Sequence, residues 1–252
     1  MMLAVQGLSK SFAGVHAVRE VSFGLEAGHM LALIGPNGAG KSTCFQCING
    51  QLRPDAGTVR LDGADVSGLA VADRARLGMG RTFQIAQVAA SLTVRQHVGV
   101  ALAARRRGGW LRPRPRGLPA PAAEIDPWLD RFGLAARGDA VCGELPYPEL
   151  KRVELACVLA QRPRVLLMDE PTAGMTRDDR HALMRVVREE ARRGLAVLFT
   201  EHSMDVVFGF ADRVLVMVRG AVVADGPPAE IERDPAVRAA YLGSAHGTGG
   251  LA

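Results

Sequence analysis

Gly35-Pro36-Asn37-Gly38-Ala39-Gly40-Lys41-Ser42-Thr43 has the spacing G-x-x-x-x-G-K-[ST], and its residue types describe a loop that wraps a chain of phosphates. Glycine lets the backbone double back and turn its N–H groups inward, so Gly35, Asn37, Gly38 and Gly40 form the expected cradle. Lys41 reaches the outer phosphates, the Ser42 hydroxyl can ligate Mg2+, and Thr43 opens a helix whose N-terminus favours anions. The implied ligand is a nucleoside triphosphate. Both flanks agree: Met30-Leu31-Ala32-Leu33-Ile34 reads as a buried strand, and Thr43 to Asn49 can start a helix.

A chain of 252 residues accommodates one large α/β domain with a smaller subdomain and a sizeable core. With 48% hydrophobic and 23% charged residues it has ordinary globular composition, which argues against wholesale disorder or a coiled coil. No apolar run approaches the roughly 20 residues of a membrane span, and the amino terminus lacks the basic-then-apolar order of a secretory signal, so the expected location is cytoplasmic. Cys44 and Cys47 form a lone C-x-x-C without a second pair to complete a zinc set, and read as packing residues behind the loop. The net charge of +5 does not by itself choose between a membrane face, nucleic acid and plain solubility.

Outward from the loop, Leu3 to Leu25 is turn-punctuated and partly alternating, as antiparallel strands require. Phe12 lies there; an aromatic face suits a purine ring, and core packing suits it equally. Arg53 to Thr58 reads as a turn, Val59 to Gly63 as a strand with its turn, and Val71 to Leu77 as a helix. Gly78 to Gln84 ends at a glutamine that can orient a water or complete a magnesium shell, although taken alone it reads as an ordinary loop amide. Ala104 to Ala123 carries Arg105-Arg106-Arg107-Gly108-Gly109-Trp110, has no helical or strand period, and predicts a solvated surface loop. Helix resumes near Asp126, and Leu150, Val153, Cys157 and Ala160 share a helical face after Pro148.

Arg164 to Glu170 is the second decisive stretch. An apolar run ending in two acids describes a buried parallel strand that delivers carboxylates to its C-terminal edge, where ligands of α/β sheets bind. Asp169 suits the magnesium and Glu170 suits the proton of an attacking water. After a helix over Arg180 to Arg192, Leu195 to Thr200 repeats the strand pattern and ends at Glu201-His202, placing His202 at the same edge, within reach of a γ-phosphate. Arg213 to Val218 and Ala221 to Ala224 predict a closing hairpin.

Together these stretches resemble the nucleotide-binding subunit of ABC transporters over about residues 3–243. Arg81-Thr82-Phe83-Gln84 and the ending Ala240-Tyr241-Leu242-Gly243 look like its branched-chain amino-acid importer branch. The resemblance implies an α/β P-loop fold: a RecA-like parallel-sheet core, an antiparallel β-subdomain and an inserted helical subdomain, working as a dimer with two ATP molecules between subunits. Along this chain that division reads as 1–83 for the β-subdomain and first part of the core, 84–160 for the helical subdomain with its basic loop at 104–123, and 161–252 for the second part of the core. It further implies Phe12 as the adenine-stacking aromatic, Gln84 as the γ-phosphate-sensing glutamine and a ligand of Mg2+ with Ser42 and Asp169, and Glu170 with His202 as catalytic residues. Implied partners are two permease subunits, a second ATPase subunit and, indirectly, an extracytoplasmic solute-binding protein, at the cytoplasmic face of the membrane and without nucleic acid. Other readings are a soluble ABC ATPase acting on nucleic acid or the ribosome through the arginine-rich stretch, and the ATPase of a lipid or lipopolysaccharide transporter.

Departures from the family pattern are as informative. The signature stretch, Leu-Ser-Tyr-Gly in this branch, is here Leu145-Pro146-Tyr147-Pro148-Glu149. Neither proline has an N–H, and Pro146 has no hydroxyl for a phosphate on the opposite subunit. Thr176 stands where the family usually places an acid or amide. The expectation is a heterodimer in which this chain's own loop, Asp169 and Glu170 work with a partner's normal signature.

Overall fold

A computed structural model describes residues 1–106 and 120–237. In chain order the strands are β1 (Leu3–Phe12), β2 (Val15–Leu25), β3 (Met30–Ile34), β4 (Ala56–Leu61), β5 (Ala64–Asp65), β6 (Met79–Thr82), β7 (Val165–Asp169), β8 (Ala196–Thr200), β9 (Arg213–Val218) and β10 (Ala221–Gly226). The principal helices are α1 (Lys41–Asn49), α2 (Val71–Arg76), α3 (Val94–Arg106), α4 (Ala122–Arg131), α5 (Tyr147–Ala160), α6 (Arg177–Arg192) and α7 (Met204–Phe210).

An antiparallel sheet in the order β2-β1-β4-β5 packs beside a six-stranded sheet in the order β10-β9-β3-β8-β7-β6, which is parallel except for β10. Alternation of side chains along each strand divides the interior between its two faces. Leu31, Leu33, Val165 and Leu167 join Cys44, Phe45, Cys47 and Ile48 of α1 and the apolar face of the β1–β4 sheet. Met30, Ala32, Ile34, Leu166 and Met168 point the other way, into a core shared with α3, α4, α5 and α6. Because both faces are covered, all five residues of β3 are buried, which explains the uninterrupted apolar run in its sequence. Cys44 and Cys47 are packing residues, and burial pushes the Cys47 thiol up to about 11 and the Cys44 thiol higher still.

Several sequence expectations need correction. Ala104, Arg105 and Arg106 belong to α3, and Ala122 and Ala123 begin α4, so both ends of the stretch read as a loop are helical. The rest of the arginine-rich stretch, Trp110 included, lies outside the described residues, as do the endings Tyr241-Leu242-Gly243 and Ser244 to Ala252. Met79–Thr82, to which the sequence assigned no element, forms the edge strand β6, and Gln84 follows it outside any strand or helix. Thr176 caps α6, its hydroxyl accepting from the Asp179 N–H at 3.3 Å.

The phosphate loop is held by close backbone packing. Gly40 has φ 98, and a Cβ there would meet the Ala17 carbonyl oxygen of β2 at 2.1 Å. Gly40→Ala is therefore expected to cost about 1–3 kcal/mol from the backbone conformation alone, with the clash in addition. A thermal melt of the variant against the parent checks this; an unchanged midpoint would mean that the loop relaxes freely.

Candidate functional site

Strand β3 ends at Ile34 and α1 begins at Lys41, and the six intervening residues form the cradle. Gly35, Gly38 and Gly40 all have positive φ. A Cβ at Gly35 would fall 2.1 Å from the Met217 carbonyl oxygen, so glycine is required where the loop leaves the sheet. Helix α1 starts with no side-chain cap and no acidic residue in its first turn, leaving its N-terminal N–H groups and the positive end of its dipole to face an anion. Lys41 is 8% exposed, and its Nζ donates to the Gly35 carbonyl at 2.7 Å and the Pro36 carbonyl at 3.2 Å. Burial pushes its pKa down, and the carboxylates of Glu170 and Asp169 push it back up. The loop thus presents a buried cation, uncapped amides and a tight backbone to its ligand, which suits a polyphosphate.

Strand β7 carries Asp169 to the sheet edge, and the chain turns at once, with Glu170 in a left-handed conformation, φ 46. A non-glycine residue held there stores strain of about 1–3 kcal/mol, and such strain is typical of functional positions. Thr200, the last residue of β8, fastens the turn: its hydroxyl donates to Asp169 Oδ1 at 2.7 Å and accepts from the Glu170 N–H at 3.0 Å. The Glu170 carboxylate then meets two side chains from elsewhere in the chain. Gln84 Nε2 donates to Oε2 at 2.9 Å, and His202 Nε2 lies 2.9 Å from Oε1. Glu201, buried at 3%, accepts from Thr172 N–H at 2.9 Å and from His202 N–H at 3.1 Å, tying the turn after β7 to the segment after β8.

The structure therefore brings Gln84, Glu170 and His202 together, with Asp169 adjacent to Glu170 and Lys41 close enough to sense both acids. Ser42 is exposed at the start of α1. Phe12 is 46% exposed at the end of β1, so it is not a core aromatic. Its strand partner is Val15, two residues along β2 from the Ala17 carbonyl that packs on Gly40. That puts an open aromatic face on the phosphate-loop side of the β-subdomain, with Lys10 Nζ 5.5 Å from the ring centroid.

The sequence gives Arg81, Thr200 and Glu201 no role of their own at the site. Arg81 lies on β6, 13% exposed at its side chain, with its guanidinium 3.9 Å from Asp169 and a hydrogen bond to Gln51. Burial lowers its pKa and Asp169 opposes the shift. The cysteines offered no metal set, and among the described residues no group of three or more His, Cys, Asp or Glu side chains could hold a metal ion. Asp169 keeps a carboxylate oxygen unbonded by Thr200, and with the Ser42 hydroxyl and the Gln84 amide it fits the oxygen donors that Mg2+ takes alongside phosphate oxygens and water.

A glycine cradle at a helix start, a strand-end acid pair and a converging glutamine and histidine define a P-loop nucleoside triphosphatase of the cassette type. The comparisons agree. A family model described as "ABC transporter" matches residues 18–173, and one described as "Branched-chain amino acid ATP-binding cassette transporter" matches residues 221–247. The chain is 35% identical to the high-affinity branched-chain amino acid transport ATP-binding protein LivG of Salmonella typhimurium over 251 residues, 97% of this chain and 98% of that one. It is 36% identical to BraF of Pseudomonas aeruginosa, a protein of the same description, over 253 residues, again 97% and 98%. The crystal structure of the ADP conformation of MJ1267, an ATP-binding cassette of an ABC transporter, superposes with a TM-score of 0.84 at 28% identity over 96% of this chain and 98% of that one. The chain belongs to the ABC transporter family and is an ATP-binding, ATP-hydrolysing subunit.

Proposed function

We propose that this chain couples ATP binding and hydrolysis to uptake of branched-chain amino acids, or of a related small solute, through a pair of permease subunits on the cytoplasmic face of a membrane. The observation that supports this substrate class above others is the likeness to LivG and BraF over nearly the whole chain, joined by the branch-specific match at 221–247. Among the described residues no helix is long and apolar enough to cross a membrane.

In the working site Lys41 and the loop amides bind the phosphates and Phe12 stacks on adenine. Ser42, Asp169 and the Gln84 amide oxygen would hold Mg2+, which would supply neutralisation of the phosphate charge. Glu170 accepts the proton of the attacking water, Gln84 and His202 orient its carboxylate, and His202 contacts the γ-phosphate.

The opposite half of the dimer is a different matter. Pro146 occupies the cap of α5 without a side-chain hydrogen bond, and Pro148 falls in the first turn. A neighbouring subunit's γ-phosphate meets no hydroxyl from residue 146 and no N–H from either proline, and each missing charge-assisted donor costs about 1.5–3 kcal/mol. The chain accordingly works beside a second, different ATPase subunit with an intact signature. Expressed with candidate partners, it should co-purify with two permeases, a second ATPase and, indirectly, a solute-binding protein. Alone, its ATPase should be slow and should rise about tenfold or more in Pro146→Ser/Pro148→Gly. Full transporter-like rates from the unaltered homodimer, unaffected by the restored residues, would sink the heterodimer. RNase-sensitive association in place of permeases would sink the transport reading.

A further inference from the structure

Between the end of β6 at Thr82 and the start of α3 at Val94 the backbone of Phe83 to Gln87 belongs to no strand or helix, yet one face of α5 takes up its polar groups. Tyr147, Lys151 and Glu154 stand at i, i+4 and i+7 on that face. Glu154 Oε1 accepts from the Phe83 N–H at 3.2 Å and from the Gln87 N–H at 3.1 Å. Glu154 Oε2 lies 3.2 Å from Lys151 Nζ, which also donates to the Phe83 carbonyl. The Tyr147 hydroxyl donates to the Gln84 carbonyl at 2.7 Å. Lys151 and Glu154 are 2% and 4% exposed. Burying an ion pair costs desolvation that an apolar filling of the same space avoids, so its presence calls for something the charges hold. What they hold is the backbone on both sides of Gln84, whose side chain reaches the Glu170 carboxylate at 2.9 Å.

We infer that Tyr147, Lys151 and Glu154 are positioning residues that clamp the Gln84 segment to α5, so that Gln84 reaches Glu170 only while α5 is seated. Helix α5 begins at the Pro146–Pro148 stretch, and on the dimer reading proposed above that end of the helix faces the other subunit's nucleotide. A shift of α5 is then passed through three side chains to the hydrogen bond on this chain's own general base. The two ATP sites are coupled by hydrogen-bonded side chains rather than by a long-range deformation.

Lys151→Met/Glu154→Leu replaces the pair by apolar side chains of similar bulk and is expected to keep the fold, since such exchanges are often neutral or stabilising. In hydrogen–deuterium exchange on the full chain, the amides of Phe83 and Gln87 should exchange about tenfold or more faster, while β7 keeps its protection. Steady-state ATPase of the assembled transporter should show kcat lowered about tenfold to 10²-fold, because misplacement of a positioning group acts on turnover, with KM for ATP within about twofold. Tyr147→Phe removes one hydroxyl at a partly exposed position and serves if the double variant fails to fold; it should move the same two readouts in the same direction by about threefold or more. Unchanged exchange at 83–87, faster exchange with unchanged kcat, or a rise in KM matching the fall in kcat would each overturn the clamp. A parent assembly without ATPase activity would count against the transport function instead, and exchange over 83–87 would then decide the clamp alone.

Discussion

Glu170→Gln is expected to lower ATP turnover by about 10²–10⁴-fold while leaving ATP binding within about threefold of the parent. The carboxylate of Glu170 accepts from Gln84 at one oxygen and meets His202 at the other. An amide of the same shape can accept at its oxygen but cannot take a proton, and its NH2 is set against the donor of Gln84 or the ring nitrogen of His202. The binding machinery stays intact, because Lys41 is fixed by the Gly35 and Pro36 carbonyls rather than by Glu170. Removing one negative charge beside a polyphosphate should, if anything, tighten binding. Fluorescent ATP-analogue titration and phosphate-release kinetics on the same preparation separate the two effects. Loss of binding would remove Glu170 from the role of general base, and retained hydrolysis would show that another group takes the proton.

Lys41→Ala should do the reverse and weaken ATP binding itself by about 10–10²-fold, the equivalent of a lost charge-assisted contact of about 1.5–3 kcal/mol. The ammonium is almost wholly buried, is bonded to the loop carbonyls and feels the charges of Glu170 and Asp169 at the C-terminal edge of β7. Burial lowers its pKa and the acids raise it, so an anionic ligand stabilises the same charged form that the acids already favour. Truncation leaves the Gly35 and Pro36 carbonyls without their donor and removes a buried positive charge that the two acids favour. Calorimetric titration with ATP and Mg2+ measures the change; an unaltered dissociation constant would mean that backbone amides and Phe12 alone hold the nucleotide.

Much of this was legible in the chain because the informative signals are local. The G-x-x-x-x-G-K-[ST] spacing works through backbone conformation within a few residues, and the buried strands of the parallel sheet announce themselves by unbroken apolar runs. Strand β6 did not, since Met79-Gly80-Arg81-Thr82 has no alternation or apolar run to read. It is a strand because it pairs in parallel with β7, and Gly80 is needed because a Cβ there would meet Val158 at 2.8 Å and Pro163 at 3.0 Å. Helix α3 differs, since its buried residues Val94, Val98, Ala101 and Leu102 recur at i, i+4, i+7 and i+8 and so offer a local signal that Gly99 weakens without removing. Phe12 was balanced between core and surface until its exposure was known.

Sequence alone determined that the chain binds a nucleoside triphosphate through the loop that carries Lys41, that Asp169 and Glu170 stand at a strand end of the α/β sheet, and that the stretch at 145–149 lacks donors its family normally has. The first two follow from residue type and short spacing, and the third from setting the stretch beside the family's pattern. Tertiary structure alone decided that Gln84 and His202 both land on Glu170, that Thr200 and Glu201 fasten the turn beneath them, and that Tyr147, Lys151 and Glu154 grip the backbone around Gln84. The physical reason is that a hydrogen bond between residues 32, 63 or 86 positions apart depends on how sheet and helices pack, and no local pattern of side chains encodes that distance.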